Sequence, residues 1–165
     1  MRKLTIILAV VGLVLAGCGD DGSTSTGSES GSGSGSESSG EAPVQLEGDV
    51  QNHGTKEVAD GATLEMEQDD FYFGPTFVKT TAGATITVKL NNEGDVAHTF
   101  TIDALDIDVE VAAGDSDEVE VTLPDTGATA FYCRFHKDSN GMQGAFFFNE
   151  GDAVNAAPPV TDPSY

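Results

Sequence analysis

From residue 44 onward, apolar and polar residues alternate in short runs with a period of two, as in strands that bury one face. The clearest runs cover residues 85–90, 107–111 and 118–123. Clusters of Gly, Pro and Asp separate the runs about every ten residues, and no stretch has the 3.6-residue period of an amphipathic helix. The pattern predicts an all-β fold, an antiparallel sandwich with one buried and one solvated face on each sheet.

Shorter runs rich in β-branched and aromatic residues predict further strands. They cover residues 63–67, 71–73, 99–102, 130–132 and 144–148. The last run contains Phe146, Phe147 and Phe148, and strand alternation places two of these rings in the core and one outward.

The first residues have a composition unlike the rest of the chain. Residues 1–17 combine a charged start with an apolar run that is too short for a comfortable transmembrane helix, which is typical of a secretory signal. The sequence Leu-Ala-Gly-Cys at residues 15–18 resembles the bacterial lipobox. That resemblance implies acylation of Cys18 as the first mature residue. We therefore expect an exported chain, lipid-anchored to the outer face of the cell membrane or membrane-anchored in a periplasm.

The domain organisation follows from this change in composition. The lipidated Cys18 and a Ser/Gly-rich linker occupy residues 18–43, which have too few apolar residues to build a core. One domain is predicted over residues 44–152, followed by a tail over 153–165. About 110 residues are enough for one hydrophobic core.

The chain is strongly acidic, with 28 Asp and Glu against 7 Lys and Arg and a net charge of -21. Such a surface repels phosphates, so nucleic acid is excluded as a partner. The charge is explained either by solubility or by steering of a cationic partner. After Lys89 the only cations are Arg134 and Lys137, which predict a local positive patch beside residues 133–142.

Candidate chemistry is concentrated in one segment near the C-terminus. Cys133, His136 and Met142 can share one loop between two strands, and thiolate, imidazole and thioether are donors that suit copper. A Cys and two His in a trigonal plane with a weak axial Met form the blue-copper arrangement, and His98 is the candidate for the second His. Cys133 also lacks a partner thiol if Cys18 is lipidated, and metal ligation would protect it as a thiolate.

The spacing of these residues resembles the cupredoxins, in particular the plastocyanin-like and azurin-like group. Their N-x-G-x-x-x-H stretch is matched by residues 92–98, and their Y-C-x-x-H-x(n)-M-x-G motif is matched by residues 132–144. The resemblance covers residues 62–149. It implies a Greek-key β-sandwich with a type 1 copper site, one copper per chain that cycles between Cu(I) and Cu(II).

Two positions depart from the family's pattern. Five residues separate His136 from Met142, more than in the plastocyanins, which leaves Gln143 or a backbone carbonyl as alternative axial ligands. Thr99 stands where family members often have Asn, and its hydroxyl and amide remain available to support the site.

Other readings of the donor residues stay open. Zinc would accept one Cys and two His, but its structural sites want a fourth strong ligand, and a thioether is a poor one. His53 is predicted to be an exposed loop residue, with a weak second metal site as the alternative.

The resemblance implies an electron carrier rather than an enzyme. Oxygen or nitrite chemistry would need an open metal position with several extra His, and the chain has 3 His. We expect a monomer that exchanges electrons with a redox partner protein at the membrane. The alternatives are copper delivery, storage or resistance outside the cytoplasm, and a cupredoxin-fold interaction module without a redox role.

Overall fold

The alternating segment at residues 85–90 forms the centre of a sheet. In the computed structural model, which describes residues 41–155, it is strand β5 (Thr85–Asn92). Ile86, Val88 and Leu90 are fully buried on one face, as the alternation predicts. The predicted signal, Cys18, nearly all of the linker and residues 156–165 of the tail lie outside the described residues.

Within residues 41–155, ten strands form two sheets, and the predicted all-β sandwich is confirmed. The remaining strands are β1 (Thr55–Glu57), β2 (Thr63–Asp69), β3 (Tyr72–Gly74), β4 (Phe77–Lys79), β6 (His98–Ile102), β7 (Ile107–Val111), β8 (Ser116–Thr122), β9 (Thr129–Tyr132) and β10 (Gln143–Phe147). The larger sheet has the order β1-β4-β10-β9-β6-β7, and the smaller has the order β3-β2-β5-β8. A 3-10 turn (Asp103–Leu105) and a short helix α1 (Lys137–Asn140) complete the elements. Among the described residues, no helix has the length and apolar character needed to cross a membrane.

The sequence predicts an antiparallel sandwich, but three pairs of strands are parallel. β2 pairs with β5 in parallel, and β4 pairs in parallel with both β1 and β10. Between β2 and β5 the chain crosses to the larger sheet, where it forms β4. It then returns to the smaller sheet, and β5 runs in the same direction as β2. Such crossovers are set by long-range packing, which a local turn signal does not reveal.

Aromatic rings fill the space between the sheets. Phe131 lies 5.2 Å from Phe73, from Phe100 and from Phe146, measured between ring centroids. All four rings are fully buried. Because Phe131 is two residues before Cys133, this cluster fixes the strand that leads into the candidate site.

The outer face of the larger sheet carries a second apolar cluster. Phe147 is the outward ring of the predicted trio, yet it is only 2% exposed, because it packs with Phe77 and Val44 in this cluster. Phe146 lies in the main core, and Phe148 packs against it while partly buried. The segment from Ala42 to Val50 therefore covers a sheet face that the alternation alone would leave to solvent.

Among the residues that the structure describes, the end strands of each sheet pair on one side only. β7 closes the larger sheet and β8 closes the smaller one. In β8 the residues Asp117, Glu118 and Glu120 are exposed, whereas Val121 is fully buried.

Candidate metal centre

Two neighbouring strands bring together the residues that the motifs single out. His98 is the first residue of β6, and Cys133 directly follows β9. The strands are paired through Thr101 and Tyr132. Neighbouring antiparallel strands place the start of one beside the end of the other, so His98 and Cys133 meet at the same end of the sandwich.

The long loop between Cys133 and Met142 is folded into a helical turn that the sequence did not predict. Lys137 and Asn140 donate backbone hydrogen bonds to the carbonyls of Cys133 and His136, at 2.9 and 3.0 Å. Gly141 ends the turn with a φ of 72°, a left-handed conformation that favours glycine. The Cys133 amide then donates to the Met142 carbonyl at 3.0 Å, so Met142 returns beside Cys133. The extra residues in this loop lie in the turn and leave its two ends together.

Three donor atoms converge on one point at the end of the sheet. The Nδ1 atoms of His98 and His136 are 3.2 Å apart, and the Cys133 Sγ lies 3.9 and 3.3 Å from them. The circle through the three atoms has a radius of about 2.0 Å, close to the distances of about 2.0–2.3 Å at which His nitrogen and Cys sulfur bind a zinc ion. Two imidazoles and a thiolate in this geometry fit one copper ion. In the part of the chain that the structure describes, this is the one cluster of His, Cys and acidic residues able to hold a metal.

The thiol of Cys133 lies in a setting that favours its thiolate. The side chain is fully buried, and its sulfur accepts the Thr99 amide at 3.4 Å. Burial alone would raise the pKa of Cys133, but the hydrogen bonds from Thr99 and from His98, when its ring is protonated on both nitrogens, outweigh it and lower the pKa. The Thr99 hydroxyl also accepts the Arg134 amide at 2.9 Å, so Thr99 joins the two halves of the site as its position predicts.

The buried His98 has a carboxylate partner that the sequence analysis missed. Its Nε2 lies 3.0 Å from Oδ1 of Asp70, which belongs to the turn between β2 and β3. Burial lowers the pKa of His98, but the bonds to Cys133 and Asp70 outweigh it and raise the pKa. Asp70 had no distinguishing signal, because Asp is common in turns and 27 residues separate it from His98.

His136 is the ligand candidate that lies nearest the surface. It is half-buried, whereas His98 and Cys133 are fully buried. The Phe71 ring packs 4.5 Å from its ring, and the neighbouring Phe135 is 45% exposed. Burial and the nearby positive charge of His98 lower the pKa of His136.

The side chains of Met142 and Gln143, the two candidates for the axial ligand, have different surroundings. Met142 is fully buried in the main core cluster, which also contains Cys133. The side-chain nitrogen of Gln143 donates to the carbonyls of Glu47 and Asp49, both at 2.7 Å. The Gln143 amide thus holds the N-terminal segment, which argues against the alternative of Gln143 as an axial ligand.

The two cations beside the loop do not form the predicted patch of free positive charge. Arg134 is paired with Asp108 at 2.9 Å and with Glu110 at 3.3 Å, so carboxylates balance its charge. The ammonium group of Lys137 lies 4.8 Å above the Tyr132 ring.

The remaining histidine has no part in the cluster. His53 is exposed, as predicted, and its ring stacks on Tyr72 at 3.6 Å between centroids with an angle of 7° between the planes. The structure gathers no second set of metal donors around it within residues 41–155.

Three solved structures illustrate the similarity in the course of the chain. Auracyanin B is 18% identical, with 66% of this chain and 95% of that one covered and a TM-score of 0.45. Auracyanin from the photosynthetic bacterium Roseiflexus castenholzii is 17% identical over 60% and 100% of the two chains, with a TM-score of 0.46. The metal-binding domain of the Streptococcus pneumoniae Cu(I)-exporting P-type ATPase CopA is 10% identical over 61% and 97%, with a TM-score of 0.45.

A family model gives the assignment. No curated protein sequence matches the chain. The model of the cupredoxin-like domain matches residues 50–145, which include His98, Cys133 and His136. Because this match spans more than half of the chain and the fold is the expected sandwich, the protein belongs to the cupredoxin-like family.

Proposed function

We propose that the protein is a type 1 copper protein that carries single electrons. The observation that carries the proposal is the convergence of two imidazole Nδ1 atoms and one thiol sulfur on a circle of radius about 2.0 Å. When bound, copper supplies one-electron chemistry between Cu(I) and Cu(II). The residues His98, Cys133 and His136 would hold it, with the thioether of Met142 as a weak fourth ligand.

The protein's own contribution to electron transfer is a site that changes little between oxidation states. Cys133 is held by the Thr99 amide, and its loop is closed by the bond from its own amide to the Met142 carbonyl. Two of the three ligand candidates, His98 and Cys133, are fully buried, and the strands that carry or precede them, β6 and β9, are paired. Preorganised ligands lower the cost of rearrangement when the charge on the metal changes.

The same donor set argues for a carrier rather than an enzyme. Four ligands would leave no open position for a substrate, and His53, the third histidine of the chain, stacks on Tyr72 instead of facing the cluster. His136, as the half-buried ligand with Phe135 exposed beside it, offers the shortest route for an electron to reach a redox partner protein.

The decisive experiment is loading of the purified protein with Cu(II). We expect an intense blue colour that arises from the bond between Cu(II) and the Cys133 thiolate. The variant Cys133→Ser should lose the colour, and the control His53→Gln should keep it. Met142→Leu, which conserves volume, should stay blue with a changed reduction potential. A wild-type Cu(II) form without this colour would refute the proposal.

A carrier also differs from a copper delivery protein in how tightly it keeps its metal. Reversible voltammetry together with slow copper loss to a chelator would support the carrier, since exchange of the ion is not part of its task. Rapid transfer of copper to the chelator in both oxidation states would favour delivery instead.

We also propose that the protein is exported and works as a monomer held at a membrane by a lipid on Cys18. The support is the signal-like run at residues 1–17 followed by the lipobox-like sequence. Mass spectrometry of the protein from its native membrane should find Cys18 as an acylated first residue. An unmodified Cys18, or a chain with its signal intact, would contradict this part of the proposal.

A further inference from the structure

The turn between β2 and β3 directs a carboxylate at the back of the candidate centre. Oδ1 of Asp70 lies 3.0 Å from Nε2 of His98, and its Oδ2 accepts the backbone amide of Asp95 at 3.1 Å. The Asp70 side chain is 25% exposed, whereas that of His98 is 0% exposed. Both carboxylate oxygens therefore have a partner, and one of them bonds a buried imidazole.

The two nitrogens of the His98 ring face different groups. Nδ1 points at His136 and Cys133, whereas Nε2 points at Asp70. A carboxylate accepts hydrogen bonds and donates none, so the proton of a neutral His98 ring resides on Nε2. The lone pair on Nδ1 is then free for a metal, and the tautomer is fixed before any metal arrives.

The neighbouring loop is shaped to this pair. A Cβ placed on Gly94 would lie 2.5 Å from Oδ1 of Asp70 and 3.1 Å from Nε2 of His98. The Gly94 amide is in turn held by the side-chain oxygen of Asn92 at 3.0 Å. The backbone at Gly94 thus passes so close to the bond between Asp70 and His98 that it leaves no room for a side chain.

We propose that Asp70 is a positioning residue that fixes the orientation of His98 and biases the metal centre toward its oxidised form. The inference rests on the proposed function, because it concerns the reduction potential of that centre. A negatively charged acceptor on Nε2–H makes the imidazole a stronger donor. A stronger donor with a nearby negative charge favours Cu(II) over Cu(I), so Asp70 lowers the potential.

The test is Asp70→Asn, with Asp95→Asn as its matched control. The Asn oxygen can still accept from Nε2, so the substitution at position 70 removes the charge and retains the shape. Asp95 is exposed, and its hydrogen bond to Asp70 comes from its backbone amide, so Asp95→Asn removes a neighbouring charge and keeps that hydrogen bond. Voltammetry of the copper-loaded proteins then measures how much the reduction potential changes in each variant.

We expect Asp70→Asn to weaken Cu(II) binding about tenfold relative to Cu(I), since such partner residues affect metal affinity by about 10–100-fold. Tenfold corresponds to a rise of about 59 mV in the one-electron potential. Asp95→Asn should raise it far less, because water screens an exposed charge. Equal shifts in the two variants, or no shift in Asp70→Asn, would overturn the proposal.

A measurement on the metal-free wild type keeps the inference separate from the proposed function. Nitrogen NMR at a pH where the His98 ring is neutral should find the proton on Nε2, protected from exchange with solvent. The proton on Nδ1 would overturn the proposal even if Asp70→Asn fails to fold. A wild-type protein with the proton on Nε2 but no blue colour would refute the copper assignment alone.

Discussion

Gly144 lies in β10, two residues after Met142, where the neighbouring backbone and the Phe131 ring leave no room for a side chain. It pairs with Phe131 of β9. A Cβ at this position would overlap the Thr76 carbonyl oxygen and lie 2.6 Å from two carbons of the Phe131 ring. We therefore predict that Gly144→Ala destabilises the domain strongly and displaces the strand that follows the ligand loop.

The size of the loss follows from how little the neighbours can move. The Thr76 carbonyl accepts the Ala145 amide at 3.1 Å, and the Thr76 hydroxyl donates to the Gln51 carbonyl at 2.8 Å. Phe131 is fully buried among other rings. Overpacking typically costs about 1–3 kcal/mol, with the upper end expected where backbone is struck. A broken hydrogen bond adds about 1 kcal/mol, and Ala in place of Gly in a strand regains about 0.5–1 kcal/mol. The expected net loss is about 3 kcal/mol.

Urea unfolding of the metal-free protein measures this loss without any contribution from the metal. Gly74→Ala is the matched control, because a Cβ there first meets the end of the flexible Glu67 side chain, at 3.2 Å. It should change the free energy of unfolding by less than about 1 kcal/mol. A loss for Gly144→Ala no larger than that for Gly74→Ala would refute the reasoning.

Two further predictions concern surface groups beside the loop. Arg134→Gln should shift the urea midpoint only slightly, and the shift should vanish in concentrated salt, because the broken ion pairs are exposed; a large, salt-independent loss would contradict this. Burial and the hydrogen bond to Asp103 raise the pKa of Tyr132 to about 12. Ultraviolet titration should therefore find a tyrosine with a pKa of about 12. Tyr132→Phe should remove this ionisation step, whereas Tyr72→Phe should not.

The donor residues and the strands around them could be predicted because their signals are local. Alternation over residues 85–90 identifies a strand with one buried face, and the structure has that strand as β5. The spacing of Cys133, His136 and the earlier His98 identifies a cluster, since side chains of these types at strand ends suit a metal. Each of these signals depends on neighbours in sequence or on a short, distinctive spacing.

The missed features depend on contacts between distant segments. The parallel pairing of β2 with β5 requires knowledge that β4 lies in the other sheet. The partnership of Asp70 with His98 joins two turns with no shared pattern. Helix α1 has 4 residues, too few to show a period. Phe147 illustrates the same limit, because the segment that buries it precedes the first strand.

The acidity of the chain has a local consequence at β8, which is an edge strand of the smaller sheet within the described residues. An edge strand offers unpaired amides and carbonyls to which the strand of another molecule can add. Exposed Asp117, Glu118 and Glu120 line this edge, so an identical edge that approaches it meets like charge. The charges that give the chain its low isoelectric point thus also protect it against self-assembly through this edge.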